Sequence, residues 1–229
     1  MNPTEITDRR LSEVLAKYWI CQHCGIVDTN PTRVEPGHRC RLCDRQAEMS
    51  SPAYFTSNVL SLIDLMQELY HLKPESALPL PAVEPAKRNG HHLILVILFC
   101  TLTEVLFQQL LEECMSRMDL AAKIQDRLLR DNLYMHQRMK RLFPTLTGMT
   151  WMDAAKHLGR RQKQNYEKTA RFYEQASEVR NEFLHRGGDW VIPGEMPEQC
   201  LRQLKPLILL FVDLHNEFVA QSPDRRLKA

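Results

Sequence analysis

A chain of 229 residues and 26.8 kDa can bury one substantial core and carry a small accessory module besides. With 44% of its residues hydrophobic, 25% charged and a formal net charge of +2, it is neither a disordered chain nor a fibrous repeat. The composition is that of a soluble globular protein.

Residues 1–50 hold four cysteines and little apolar periodicity. The opening MNPTEITDRR lacks the apolar stretch of a secretory signal, and seven cysteines, an odd count, do not form a secreted disulfide framework. A reducing, cytoplasmic setting is expected. Leu62, Leu65, Met66 and Leu69 give 53–72 the spacing of a helix. KPESALPLPAVEPAKRNG, 73–90, then places prolines at 74, 79, 81 and 85 and ends in Asn-Gly, which favours an extended linker. The domain boundary is expected inside it, dividing the chain into 1–50, 51–90 and 91–229.

Beyond it, helical spacing predicts helices over about 91–118, 119–142, 151–158, 160–186 and 197–221. The first contains the apolar run 93–111, but Glu104, two Gln and two Thr within it point to a core helix, and no membrane partner is expected. Pro144 and Gly148 are expected to end the second helix, and Gly187-Gly188 the 160–186 helix. Pro193 and Pro197 confine the loop before the last. Thr150 and Asp153 form a capping-box variant in which the threonine oxygen accepts from the amide three residues on. The fold class expected is mainly α, a C-terminal helical bundle with a small N-terminal cysteine module.

In that module CQHC (21–24) and CRLC (40–43) make C-x2-C-x15-C-x2-C. Cys21, Cys24, Cys40 and Cys43 could converge as two knuckles on one structural zinc, with Gly25 supplying a positive φ and Tyr18 and Trp19 covering a core too small to fold alone. His23 and His38 are surplus to a four-thiolate set. Four filled positions leave no room for a substrate water, so this metal serves shape or contact. Arg39, Arg41 and Arg45 could meet phosphate or simply be solvated. Cys100, Cys114 and Cys200 have no paired spacing and are expected in the core.

Charge concentrates elsewhere. Residues 121–186 carry fourteen Lys and Arg against seven Asp and Glu, a surplus that would attract a phosphate-rich ligand or form a solvated face. The same region ends in EVRNEFLHRGGDW, 178–190. Asn181 and His185, four apart, share one side of a helix, and Arg180 borders the same groove. Near the helix C-terminus the dipole favours an imidazolium, so His185 could shuttle protons.

The RNEFLH segment resembles the signature of the HEPN superfamily, an arginine followed by a polar residue and, four to six positions after the arginine, a histidine. Arg180, Asn181 and His185 take those positions, and the resemblance covers about 91–221. It implies a helical bundle with the motif late in the chain. The expected activity is that of a metal-independent ribonuclease, often a toxin or antiphage effector, and a zinc ribbon ahead of the domain is a familiar arrangement. The resemblance also implies a homodimer that brings two motifs into one cleft, and a regulatory or antitoxin protein as a partner. Glu104 forms a polar line with Thr101 and Gln108, which is either a narrow solvated stripe or the acidic partner that several HEPN nucleases place near the motif arginine.

The chemistry suits these groups. RNA carries its own nucleophile, the 2′-hydroxyl; an imidazole could take its proton or protonate the departing 5′-oxygen, and a guanidinium could stabilise phosphorane charge. Asn181 would orient a base or hold a phosphate oxygen. Products would be 2′,3′-cyclic phosphate and 5′-hydroxyl ends, with DNA spared. The alternative is a non-catalytic adaptor that binds nucleic acid or protein through the ribbon and the basic helices.

Overall fold

The computed structural model describes residues 11–29, 39–46, 53–71, 90–186 and 194–220. The 73–90 linker, Gly187-Gly188, Pro193 and His38 are wholly or almost wholly outside the described residues.

The chain is mainly helical, as the apolar spacing requires. A short helix α1 (Leu11–Leu15) leads into a two-stranded antiparallel sheet, β1 (Trp19–Ile20) and β2 (Val27–Asp28), with Trp19 opposite Asp28 and Ile20 opposite Val27. Helix α2 (Ser57–His71) follows, then α3 (Gly90–Arg117). α3 is long and apolar enough to cross a bilayer by length and composition. Here it is a central core helix that buries Leu95, Phe99, Leu102, Leu106, Phe107, Leu110 and Leu111 against its neighbours.

The segment expected as one helix over 119–142 is broken. It forms α4 (Ala122–Asp131), a turn, α5 (Met135–Gln137), a π-helical turn at Arg138–Leu142 and α6 (Phe143–Thr147). Pro144 does not end a helix; it sits in the first turn of α6, where a missing N–H is tolerated. Gly148, at φ 75°, does end it. Helix α7 (Trp151–Gln162) starts as expected: Thr150 Oγ1 accepts from the Asp153 amide at 3.1 Å and donates to Asp153 Oδ2 at 2.6 Å. It runs four residues past the expected end and hands over to α8 (Tyr166–Arg186) through a left-handed Lys163. A Cβ on Gly159 would lie 2.7 Å from the Gln164 carbonyl oxygen, so only glycine permits this tight corner. Helix α9 (Met196–Phe218) closes the bundle against α2, α3, α7 and α8.

One apolar cluster runs through all of this, from Leu15, Tyr18 and Val27 through α2 and α3 to Leu214. Phe107, Phe143, Trp151 and Phe211 form its aromatic centre, with ring centroids 5.3–6.2 Å apart. The cysteine module is not a tethered appendage but a cap on α9.

Candidate functional site

Helix α8 places the motif by running past the core. Asn165 Oδ1 accepts from the Lys168 amide at 3.2 Å near its start, and Tyr166, Ala170, Tyr173 and Ala176 are buried. Beyond these, Val179 and Phe183 remain partly buried, while Asn181 and His185 stand exposed on the other side of the helix.

Arg180 lies where the helix leaves the core. Its Nη1 donates to Glu104 Oε1 on α3 at 2.5 Å, and its Nε and Nη2 donate to Asn181 Oδ1 at 3.3 and 3.1 Å. The side chains are 15% and 31% exposed for Arg180 and Glu104, so water screens this pair only partly. Partial burial opposes the guanidinium charge, but the hydrogen bond and Coulomb attraction of Glu104 outweigh it and raise Arg180 above its ordinary range. His185 makes no hydrogen bond among the described residues and leaves both ring nitrogens to solvent and to any ligand.

These residues line one open cleft of about 1030 Å³. Thr101, Glu104 and Gln108 form its α3 wall, so the polar line along that helix faces the cleft. Tyr173 lies in the same wall as Arg180; its buried hydroxyl, beside Ser177, makes no hydrogen bond of normal geometry. Burial, then the nearby Glu104 and Cys100, push this phenol well above the tyrosine range, so it keeps its proton. The opposite wall is the irregular segment 133–140, which contributes Tyr134, His136, Arg138 and Lys140.

The basic surplus of 121–186 is not gathered in this cleft. Arg138, Lys140 and Arg180 line it, but so do Glu104, Glu174 and Glu178. Lys123, Arg127 and Arg130 lie on α4, which buries no residue, and Arg160, Arg161 and Lys163 stand at the α7–α8 corner. Positive potential inside the cleft is therefore strongest along the Arg138–Lys140 wall.

The second site is the cysteine cluster, whose four Sγ atoms lie within 4.8 Å of one another and could hold a metal ion. Two knuckles with the same backbone pattern build it. Gly25 N donates to Cys21 O at 2.8 Å and Cys21 N to Ile26 O at 2.9 Å; Asp44 N donates to Cys40 O at 2.9 Å and Cys40 N to Arg45 O at 2.8 Å. Gly25 and Asp44 occupy matching left-handed positions at φ 74° and 54°. Trp19 shields the sulfurs, whereas Tyr18 turns into the main core beside Phe55. Arg39 pairs with Asp44 at 3.0 Å, and Arg45 Nη1 lies 3.5 Å from His23 Nδ1. Burial pushes the Cys24 and Cys40 thiols up, so a cation is what would convert them to thiolates. All seven cysteines are free thiols. Cys100, Cys114 and Cys200 are buried in the core, and burial pushes Cys100 and Cys114 up to about 12, which leaves them unreactive.

The knuckle is fastened to α9 by two residues that no sequence pattern singled out. His215 donates from Nε2 to the Gly25 carbonyl at 2.7 Å, while its Nδ1 lies 2.7 Å from Glu113 Oε2 of α3. Asn216 accepts from Val27 N at 2.7 Å and donates to Val27 O at 3.1 Å, pairing with β2 as another strand would. Compared with known proteins, the chain matches no family model, no curated protein and no solved structure.

Proposed function

We propose that the cleft between α3, α8 and the 133–140 wall is the active site of a metal-independent endoribonuclease of HEPN type. The observation that carries this reading is the Glu104–Arg180–Asn181 arrangement. A guanidinium fixed by a carboxylate from another helix borders an open cleft that also holds a solvent-facing histidine.

In this mechanism the 2′-oxygen of the substrate bonds to phosphorus as its proton passes to an imidazole, and the P–O5′ bond breaks as the leaving oxygen gains a proton. The cleft holds two imidazoles, His136 and His185; His185, on the same helix as Arg180, is assigned these protons. The free N–H bonds of Arg180 stabilise the charge that builds on the phosphorane. A homodimer supplies two histidines to one cleft, one as base and one as acid. The four cysteines hold a structural zinc: a tetrahedral ion with metal–sulfur bonds of about 2.3 Å spaces its sulfurs by about 3.8 Å. Cys21–Cys43 and Cys24–Cys40 are 3.8 and 3.6 Å apart. In the cell this reading fits a cytoplasmic toxin or antiphage effector held in check by a protein partner.

A second reading, the non-catalytic adaptor, is favoured by the acidic Glu174 and Glu178 in the cleft and by the engagement of Arg180 with protein acceptors. Incubation of RNA with the purified protein without added divalent metal, its fold checked by circular dichroism, separates the two. Cyclic phosphate ends from the wild type, absent with His185→Ala and never seen on DNA, support the nuclease. Cleavage that persists undiminished in His185→Ala would remove it.

A further inference from the structure

We propose that Tyr134, on the wall facing the motif, is a stacking platform for an unpaired base, so that the cleft takes single-stranded RNA. This inference rests on the ribonuclease reading and names the form of its substrate.

The platform follows from how 133–140 folds. Asn132 ends α4, and the chain turns through Leu133 and Tyr134 before the short α5. Tyr134 holds an extended backbone at φ −86° and ψ 143°, and its amide donates to Gln137 Oε1 at 3.3 Å. This places an aromatic ring at a chain corner instead of in the core, and Tyr134 is 62% exposed. A second ring lies beside it. His136 lies parallel to it, with ring planes 12° apart and centroids 5.8 Å apart. The two rings lie offset and nearly parallel, and the exposed tyrosine ring can accept a splayed base as a third ring.

The phosphate side comes from the same few residues. Arg138 Nε donates to Asn132 O at 3.0 Å and its Nη1 to Gln108 Oε1 at 3.1 Å. Those bonds fix the guanidinium across the cleft while Nη2 has no partner among the described residues. Lys140, exposed, follows on the π-helical turn and also lines the cleft. π-turns of this kind recur at functional sites because they let successive side chains project where a regular α-helix would rotate them away. Ring and cations thus come from one short segment, residues 134–140. A duplex, whose bases are stacked and paired, has no ring to offer Tyr134.

The test uses full-length protein carrying His185→Ala, which keeps RNA intact, and fluorescence anisotropy with a fluorescein-labelled ten-nucleotide RNA, single-stranded or annealed to its complement. The single strand is expected to bind more tightly than the duplex. Adding Tyr134→Ala should weaken single-strand binding by roughly 5- to 150-fold, the range for loss of one base–aromatic stack, and Tyr134→Phe should retain it. Circular dichroism checks that each variant is folded, which the exposure of Tyr134 favours. Equal affinity for duplex and single strand, or an unchanged affinity in Tyr134→Ala, overturns the platform. So does a Tyr134→Ala variant whose only change is a lost dimer in light scattering, which would make the ring a protein contact. Tyr134-dependent RNA binding by a protein that cleaves no RNA would keep the platform and remove the nuclease. Cleavage without Tyr134 dependence would do the reverse.

Discussion

Glu104 Oε1 on α3 stands 2.5 Å from Arg180 Nη1 on α8, joining two helices 76 residues apart in sequence at the edge of the cleft. The contact gives the acid on the apolar run 93–111 a reason to be there: it orients a guanidinium that would otherwise sample many rotamers. Glu104→Gln keeps the shape and removes the charge. On the nuclease proposal, RNA cleavage should fall about 10-fold in kcat with little change in KM, because there the arginine would act on the transition state more than on substrate binding. Stability should change by less than about 1 kcal/mol, as expected for a partly exposed pair. An unchanged kcat would detach Glu104 from the chemistry.

Arg180→Ala goes further, removing the guanidinium itself. A loss of about 10²- to 10³-fold in cleavage rate is expected, the scale for one transition-state donor. The measurement is single-turnover cleavage beside a thermal melt, so that a misfolded variant is not read as an inactive one.

If the four cysteines hold the proposed zinc, its removal should be felt by the whole molecule. The knuckle is bound to α9 through His215 and Asn216, and Cys21, Cys24 and Cys40 share an apolar cluster with Ala220, just beyond that helix. Cys43→Ser, or a strong chelator, is therefore expected to lower the main melting transition in calorimetry and not to add a separate low-temperature one. Metal analysis of the wild type should find about one zinc per chain, and a zinc-free, fully stable protein would refute the structural ion.

High pH should destabilise the fold. Tyr166 donates to Asp213 Oδ2 at 2.6 Å, and burial together with that carboxylate raises the phenol well above the usual tyrosine value. The folded state therefore holds this proton more tightly than the unfolded chain does. Its stabilising effect is complete below the unfolded pKa of about 10 and is lost as pH rises beyond it. Tyr166→Phe should make the decline of stability above about pH 10 less steep, with Tyr18, Tyr54 and Tyr173, also raised by burial, supplying the rest, as measured by urea unfolding.

How far the sequence carried these conclusions depends on whether a feature is local. The helical class, the Thr150 cap and the positive φ at Gly25 follow from residues within a turn of one another, and they are found in the structure. The break in 119–142 is not local. No glycine or proline lies between Leu120 and Phe143, and the irregular turn is held by Arg138 reaching back to Asn132 and across to Gln108, a contact made only once α3 is in place. Missing that break conceals the wall that carries Tyr134. His215 and Asn216 were hidden for a similar reason. Their partners Gly25 and Val27 lie 190 and 189 residues away, and nothing in an amphipathic helix marks which polar side chains will reach a distant backbone.

The seating of the knuckle on α9 also sets an order of events during synthesis. α2, α3, α7, α8 and β2 all pack on the helix that leaves the ribosome after them. Until it arrives, the apolar faces of α2 and α3 that it covers have only water or a chaperone to meet, and the cysteines, even with an ion bound, have no surface on which to dock. Completion of the core waits for α9, and a ribosome stalled before Met196 would display a half-built core with part of α3, its most apolar helix, uncovered.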